Sequence, residues 1–167
     1  MSVFSSNALK VFHGSKVEVI NPEIRVGKYT KDFGVGFYVT KFKSQAEKWA
    51  SKKSDGIVSV YDFIPNDNLN ILKFDSMTEE WLDFLIHCRT GNSHNYDIVE
   101  GPMADDTIYD AVVDLLEGTI NRVIFWELVK FKYPTHQIVL CTSEALDTIK
   151  FKYSYEVKFN AKTKTLR

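Results

Sequence analysis

The sequence predicts a single α+β domain, and three observations carry that prediction. Apolar residues switch repeatedly between a period near two and a period near 3.6, so short strands and helices must alternate. No internal repeat, low-complexity tract or Pro/Gly-rich linker divides the 167 residues. A chain of that length buries roughly 70% of its unfolded surface, enough for one core without disulfides or metal. The domain is expected over residues 1–158, with a polar, frayed tail over 159–167.

Taken in order, Leu9–Phe12 reads as a short strand ending at the polar turn His13-Gly14-Ser15. Gly34–Thr40 reads as a second strand entered through glycines. Ser44-Gln45-Ala46-Glu47 fits a capping box, opening a helix with Trp49 and Ala50 on its buried face. Ile57–Ile64 is β-branched and aromatic and is closed by Pro65, hence a strand, with Leu69–Phe74 as its expected partner. Ser76-Met77-Thr78-Glu79 is a second capping box, for a helix carrying Trp81, Leu82, Leu85 and Ile86 and ended by Gly91. Asp105 or Asp106 caps a third helix, whose apolar face holds Ile108, Val112, Leu115 and Leu116 and which Gly118 stops. Ile120–Phe131 reads as helical, terminated before Pro134. His136–Cys141 is a strand, Thr142 caps a short helix reaching Ile149, and Phe151–Val157 is the last strand.

Composition narrows the function. The formal net charge of −1 leaves no global positive field to recruit nucleic acid. Lys41, Lys43, Lys48, Lys52 and Lys53 crowd one region, and read as a solvated helix face. Cys88 and Cys141 are isolated, without CxxC or metal-ligand spacing, a pattern of reduced thiols in a cytosol. The N-terminal stretch lacks the features of a signal peptide, and no apolar run approaches the roughly 18 residues that span a bilayer. A cytoplasmic protein without membrane contact is the expectation. His87, His94 and His136 have no ligand-like spacing, so no metal is assigned.

The chain contains no GxxxxGK[ST] phosphate loop, no HExxH, no GxSxG elbow and no GxGxxG after a strand. Asp32-Phe33-Gly34 spells the kinase tripeptide, but the other kinase signatures are missing and the match is a coincidence. What remains is Val11-Phe12-His13-Gly14-Ser15 together with Asp32-Phe33-Gly34-Val35-Gly36-Phe37-Tyr38-Val39-Thr40. A histidine at a strand end followed by glycine admits a ligand close to the backbone, and two glycines before an aromatic strand do so from a second side. Together they predict a slot with an aromatic floor and backbone donors at its mouth. On spacing alone, a capped turn beside a buried tyrosine explains the same residues.

The ordered set FHGS, DFGxGFYxT and QAxxWA resembles the ADP-ribosyltransferase superfamily of the His-Tyr type, which includes diphtheria-toxin-like and PARP-like enzymes. More narrowly, it is similar to a little-characterised bacterial family of such domains. The resemblance continues through Glu80-Trp81-Leu82-Asp83-Phe84, Arg89 with Gly91, Tyr96 to Asp106, Gln137 to Leu146 and Glu156-Val157, so it spans nearly all the chain from Leu9 onward. It implies a split β core of two small sheets with flanking helices, and NAD as substrate. His13 would bind a hydroxyl of the nicotinamide ribose, Gly14 the carboxamide through its backbone, and Ser15 the same amide through its hydroxyl. Gly36 would let the backbone approach, and Tyr38 would stack on the cationic nicotinamide ring. Arg89 is the candidate for the pyrophosphate, against a plainer role complementing a helix C-terminus. Lys28 is a weaker phosphate candidate. Trp49 reads as core.

One departure stands out. Many relatives start the late strand with Glu, where this chain has Gln137. Glutamine can orient the ribose but supplies neither a base nor full negative charge. Glu100, Asp105 and Asp106, on what reads as a turn, are the candidate replacement carboxylates, with Asp106 foremost among them. The resemblance implies an NAD-dependent transfer of ADP-ribose to a macromolecular acceptor, and the near-neutral charge favours protein over nucleic acid. A role as a toxin of a toxin–antitoxin or phage-defence system follows from it, with a cognate antitoxin as partner. Two alternatives stay open: an NAD glycohydrolase, and a catalytically silent module that binds NAD or ADP-ribose.

Overall fold

The computed structural model describes residues 8–25 and 31–160. Lys28 and the end of the expected tail, residues 161–167, lie outside the described residues. In chain order the elements are β1 (Leu9–Ser15), β2 (Phe37–Val39), α1 (Lys43–Ala50), β3 (Gly56–Phe63), β4 (Ile71–Lys73) and α2 (Glu79–Arg89). There follow β5 (Ile98–Met103), α3 (Asp106–Leu116), α4 (Arg122–Val129), β6 (Thr135–Leu140), α5 (Ser143–Leu146) and β7 (Ile149–Val157). The strands form two small sheets, ordered β1-β3-β7 and β2-β6-β5-β4. The architecture is therefore α+β.

The core follows from strand alternation. On β5 and β6, Ile98, Ile138 and Leu140 pack with Val11, Tyr61 and Phe63 of the other sheet. Their neighbours Val99 and Val139 face the opposite way, onto Trp81, Leu82 and Leu85 of α2, Ile108 and Val112 of α3, and Phe125 of α4. Gln137 shares the face of Val139, so it points to the helical side. A third cluster seats Ala46 and Ala50 of α1 on Val58 and Val60 of β3.

The sheets part at Thr40. β2 pairs with β6 from Phe37 to Val39, opposite Leu140 to Ile138. At the next residue the chain crosses to β1: Phe12 N–H donates to the Thr40 carbonyl at 2.8 Å and Thr40 N–H to the Phe12 carbonyl at 2.9 Å.

Helix ends show which sequence signals prevailed. At α2, Thr78 rather than Ser76 is the N-cap, its hydroxyl accepting from Trp81 N–H. Gly91 and Gly118 end α2 and α3 with positive φ of 91° and 79°. Their Schellman bonds, Asn92 N–H to His87 O and Thr119 N–H to Asp114 O, need that left-handed residue. Asn121 caps α4 and Thr142 caps α5, which stops at Leu146 because Ile149 already belongs to β7. The capping box expected at Ser44 does not form. α1 starts two residues earlier with Phe42 as an N-cap without a side-chain bond, and Glu47 accepts instead from the Tyr155 hydroxyl.

Three strand expectations are corrected. β1 runs through His13-Gly14-Ser15 rather than ending there, because β3 pairs with it as far as Ile57. β4 does not partner β3; it lies parallel to β5 in the other sheet. Glu100-Gly101-Pro102 is strand, not turn. Pro102 is tolerated because β4 accompanies β5 only as far as Glu100, so the missing N–H falls on an open edge.

Candidate functional site

Where the sheets part, a cavity of about 420 Å³ opens between β1, β2, β6 and the helices. His13 and Gly14 line it from β1, Tyr38 from β2, Gln137 from β6, Trp49 from α1, Arg89 from α2 and Tyr109 from α3. Lys31, Asp32, Met103 and Ala104 complete the wall. The volume lies within the range of small-molecule sites.

His13 Nδ1 lies 2.7 Å from the Tyr38 carbonyl oxygen. A carbonyl only accepts, so Nδ1 carries the proton, and Nε2 is the acceptor His13 offers to the cavity. Burial lowers the pKa of the ring, more than its bond to Tyr38 raises it, and Lys31 lowers it further. The imidazole is therefore neutral at neutral pH. Its plane is set by stacking on Phe37, with centroids 4.3 Å apart.

Tyr38 is held by its hydroxyl, which donates to Gly34 O at 2.6 Å and accepts from Phe33 N–H at 3.3 Å. Burial pushes the phenol pKa well up, so it stays protonated and the aromatic face is what it presents. The Lys31 ammonium stands 4.7 Å from the ring centroid, so this face already accommodates a cation.

Asp32 is the carboxylate of the cavity, and although its motif was singled out in the sequence, Asp32 itself was given no role there. It is 4% exposed. Its Oδ1 accepts from Arg89 Nε at 2.8 Å and from Arg89 Nη2, and its Oδ2 from Ala104 N–H at 2.8 Å. The Gln137 side chain lies near enough to favour its charged form slightly. Burial raises the Asp32 carboxyl pKa against the pull of these partners. A lone aspartate in an otherwise apolar and glycine-rich run was the available signal, because an acid in such a run needs a specific partner if it is buried.

Arg89 ends α2, where a cation suits the helix dipole, and also lines the cavity, its guanidinium 4.7 Å over the Tyr109 ring. Gln137 is 1% exposed and its Nε2 donates to Pro102 O at 3.4 Å. Trp49, read as core, is half-buried and faces the cavity, since it sits one turn beyond Gln45 on the same helix face.

Ser15, Gly36 and Asp105 are not brought to the cavity wall. Ser15 lies at the end of β1 with its hydroxyl on Val17 O at 2.6 Å. Gly36 is set by β6 instead: a Cβ there would lie 2.5 Å from Val139 Cγ1 and 2.6 Å from Leu140 O. Asp105 is the N-cap residue of α3 and accepts from the Thr135 hydroxyl. Asp106 begins α3, and its side chain lies outside those described.

Glu100 faces away from the cavity, where it accepts from His136 Nε2 at 2.9 Å and pairs with Lys41 Nζ at 2.5 Å. Burial pushes its carboxyl up, but hydrogen bonds from His136 and Lys41 outweigh it and hold the pKa down at about 2. A depressed folded-state value stabilises the fold above the ordinary carboxylate pKa, and the contribution is lost as pH falls toward about 2. Melting temperature followed between pH 6 and 2 should therefore fall less steeply in Glu100→Gln than in wild type. Parallel curves would refute the pairing.

The family described as "Protein of unknown function (DUF3990)" has a model that matches residues 9–151. The chain belongs to the DUF3990 family. A comparison with the curated proteins gave no match. The DUF3990 match takes in the cavity residues from His13 to Gln137. Among the described residues no group of three or more His, Cys, Asp or Glu side chains is placed to hold a metal ion. None of the described helices is long and apolar enough to cross a membrane.

Proposed function

We propose that this protein binds NAD in the cavity and transfers its ADP-ribose to a macromolecular acceptor, within an ADP-ribosyltransferase-like fold. One observation carries the reading: His13, Tyr38 and Gln137, far apart in sequence and drawn from three strands, line one cavity. The resemblance assigned those three to the nicotinamide riboside, and one riboside can touch all of them only if they converge.

The chemistry matches what each group offers. The Tyr38 face takes the cationic nicotinamide, displacing the Lys31 ammonium. Neutral His13 accepts a ribose hydroxyl through Nε2, and the Gly14 backbone meets the carboxamide. Arg89 and Lys31 supply positive charge for the pyrophosphate. The N-glycosidic bond breaks with its electron pair leaving on nicotinamide. The oxocarbenium-like ribose is then attacked at C1′ by the acceptor, which loses a proton. Gln137 orients the ribose, and Asp32 behind it is the nearby negative charge. The acceptor is proposed to be protein, in keeping with the net charge of −1. The setting is proposed to be an intracellular toxin with a cognate antitoxin, a role resting on the resemblance alone.

A second reading has its own support. Gln137 carries no charge and Asp32 is engaged by Arg89, an arrangement that also suits binding without chemistry. Mass spectrometry of a cell extract incubated with NAD and the protein separates the readings. A labelled macromolecule is expected. Free ADP-ribose alone would mean hydrolysis, and intact NAD would mean a binding module. Tyr38→Ala should lose about 30-fold or more in kcat/KM through the cation–π contact. His13→Ala should lose about 10-fold or more through the unpaired hydroxyl. Full activity in both variants would refute the assignment.

A further inference from the structure

α1 does more than cover the sheet, and its two faces show how. Ala46 and Ala50, one turn apart, press on β1: a Cβ on Gly14 would lie 2.1 Å from Ala46 O and 2.9 Å from Ala50 N. Gln45 and Trp49, also one turn apart, face β6 and the cavity. One short helix thus touches both walls of the gap between the sheets.

The Gln45 contact is specific. Its side chain is 6% exposed. Oε1 accepts from His136 N–H at 2.9 Å and Nε2 donates to His136 O at 2.5 Å. Both polar atoms of the amide therefore meet the backbone of one residue, as a neighbouring strand residue would. The register explains why an amide is needed there. β2 pairs with β6 opposite Ile138, but the next residue, Thr40, is bonded to Phe12 of β1, and Lys41 N–H meets the His136 ring rather than its backbone. The rung that Lys41 would have made with His136 is absent, and an unpaired buried N–H and C=O would be left behind. Gln45 replaces that rung at the point where the sheets separate, one residue before Gln137.

We propose that Gln45 is the positioning residue of the site, a side-chain rung that fixes Gln137 at its height in the cavity while β2 departs to open it. The consequence for turnover rests on the ADP-ribosyl-transfer reading above; the rung itself does not. Only an unbranched primary amide of this length supplies a donor and an acceptor at strand spacing, so Gln45→Glu keeps the acceptor and loses the donor, and Gln45→Leu loses both.

The test compares wild type, Gln45→Leu, Gln45→Glu, Gln137→Ala and Gln45→Leu/Gln137→Ala, with NAD as the probe. kcat and KM are measured in extract, and amide hydrogen exchange at His136 in the protein alone. Gln45→Leu should lower kcat roughly 100-fold, as a misplaced reactive group does, with KM changed by less than about threefold. It should add nothing to Gln137→Ala, because the pin acts through Gln137. Gln45→Glu should fall between wild type and Gln45→Leu. Exchange at His136 should speed up by about tenfold or more in Gln45→Leu. An unchanged kcat in a folded Gln45→Leu protein, or a full additive loss in the double variant, overturns the positioning role. If wild type consumes no NAD, the transfer reading fails, and exchange decides on the rung: faster exchange at His136 upholds it and unchanged exchange overturns it.

Discussion

Asp32→Ala should cost about 3 kcal/mol or more of folding stability, the penalty for taking a doubly bonded carboxylate away from a mostly buried guanidinium. Arg89 donates to Asp32 through two nitrogens, and Ala104 N–H depends on the same carboxylate. Removing it takes an acceptor from α2 and from the end of β5 at once. Urea unfolding of wild type, Asp32→Ala and Asp32→Ala/Arg89→Met measures the effect. The double variant should lose less than the single one, because the buried charge that Asp32 balanced is then removed with it. A single-variant loss under about 1 kcal/mol would show that water replaces the carboxylate and that the network is not structural. Asp32→Asn keeps the shape and removes the charge, and NAD turnover in that variant separates the electrostatic part from the packing part.

Gly14→Ala should be nearly as severe, for a different reason. The added methyl meets backbone, not a flexible side-chain end: Ala46 O at 2.1 Å and Ala50 N at 2.9 Å. Neither atom can rotate away, so α1 must move as a body or β1 must bend. Overpacking of this kind costs about 3 kcal/mol, which for a domain of this size lowers the melting temperature by roughly 6–12 °C. Moving α1 also displaces Gln45 and Trp49, so NAD consumption should fall with stability. Thermal melts alongside NAD turnover check both parts. A Gly14→Ala protein that melts with wild type would mean that α1 is loosely seated and that the glycine serves the ligand alone.

Gly14 also shows where sequence reasoning stops. The residue was legible as a place of close approach, since glycine has no Cβ to hold a neighbour off. What approaches was not legible. The sequence pointed to a ligand, and the fold places the carbonyl of Ala46 there as well. Ser15 and Gly36 are not part of the cavity wall: the Ser15 hydroxyl turns back to Val17 O, and Gly36 lies close against Val139 and Leu140 of β6.

The sequence by itself determined the local pieces: an α+β chain, the strand leading up to His13, the strands through Tyr38 and Gln137, the glycine stops at Gly91 and Gly118, and the Thr142 cap. These rest on periodicity and on backbone preferences of single residues, which act over a few positions and can be read in order. Tertiary structure alone decided the rest. Nothing local to Asp32 names Arg89 as its partner, 57 residues away. Nothing local to Gln45 or Trp49 announces a rung on β6 or a wall of the cavity, because each depends on which strand lies opposite after β2 has crossed between the sheets. A buried carboxylate and a buried amide are stable only with partners, and long-range packing chooses which partners those are.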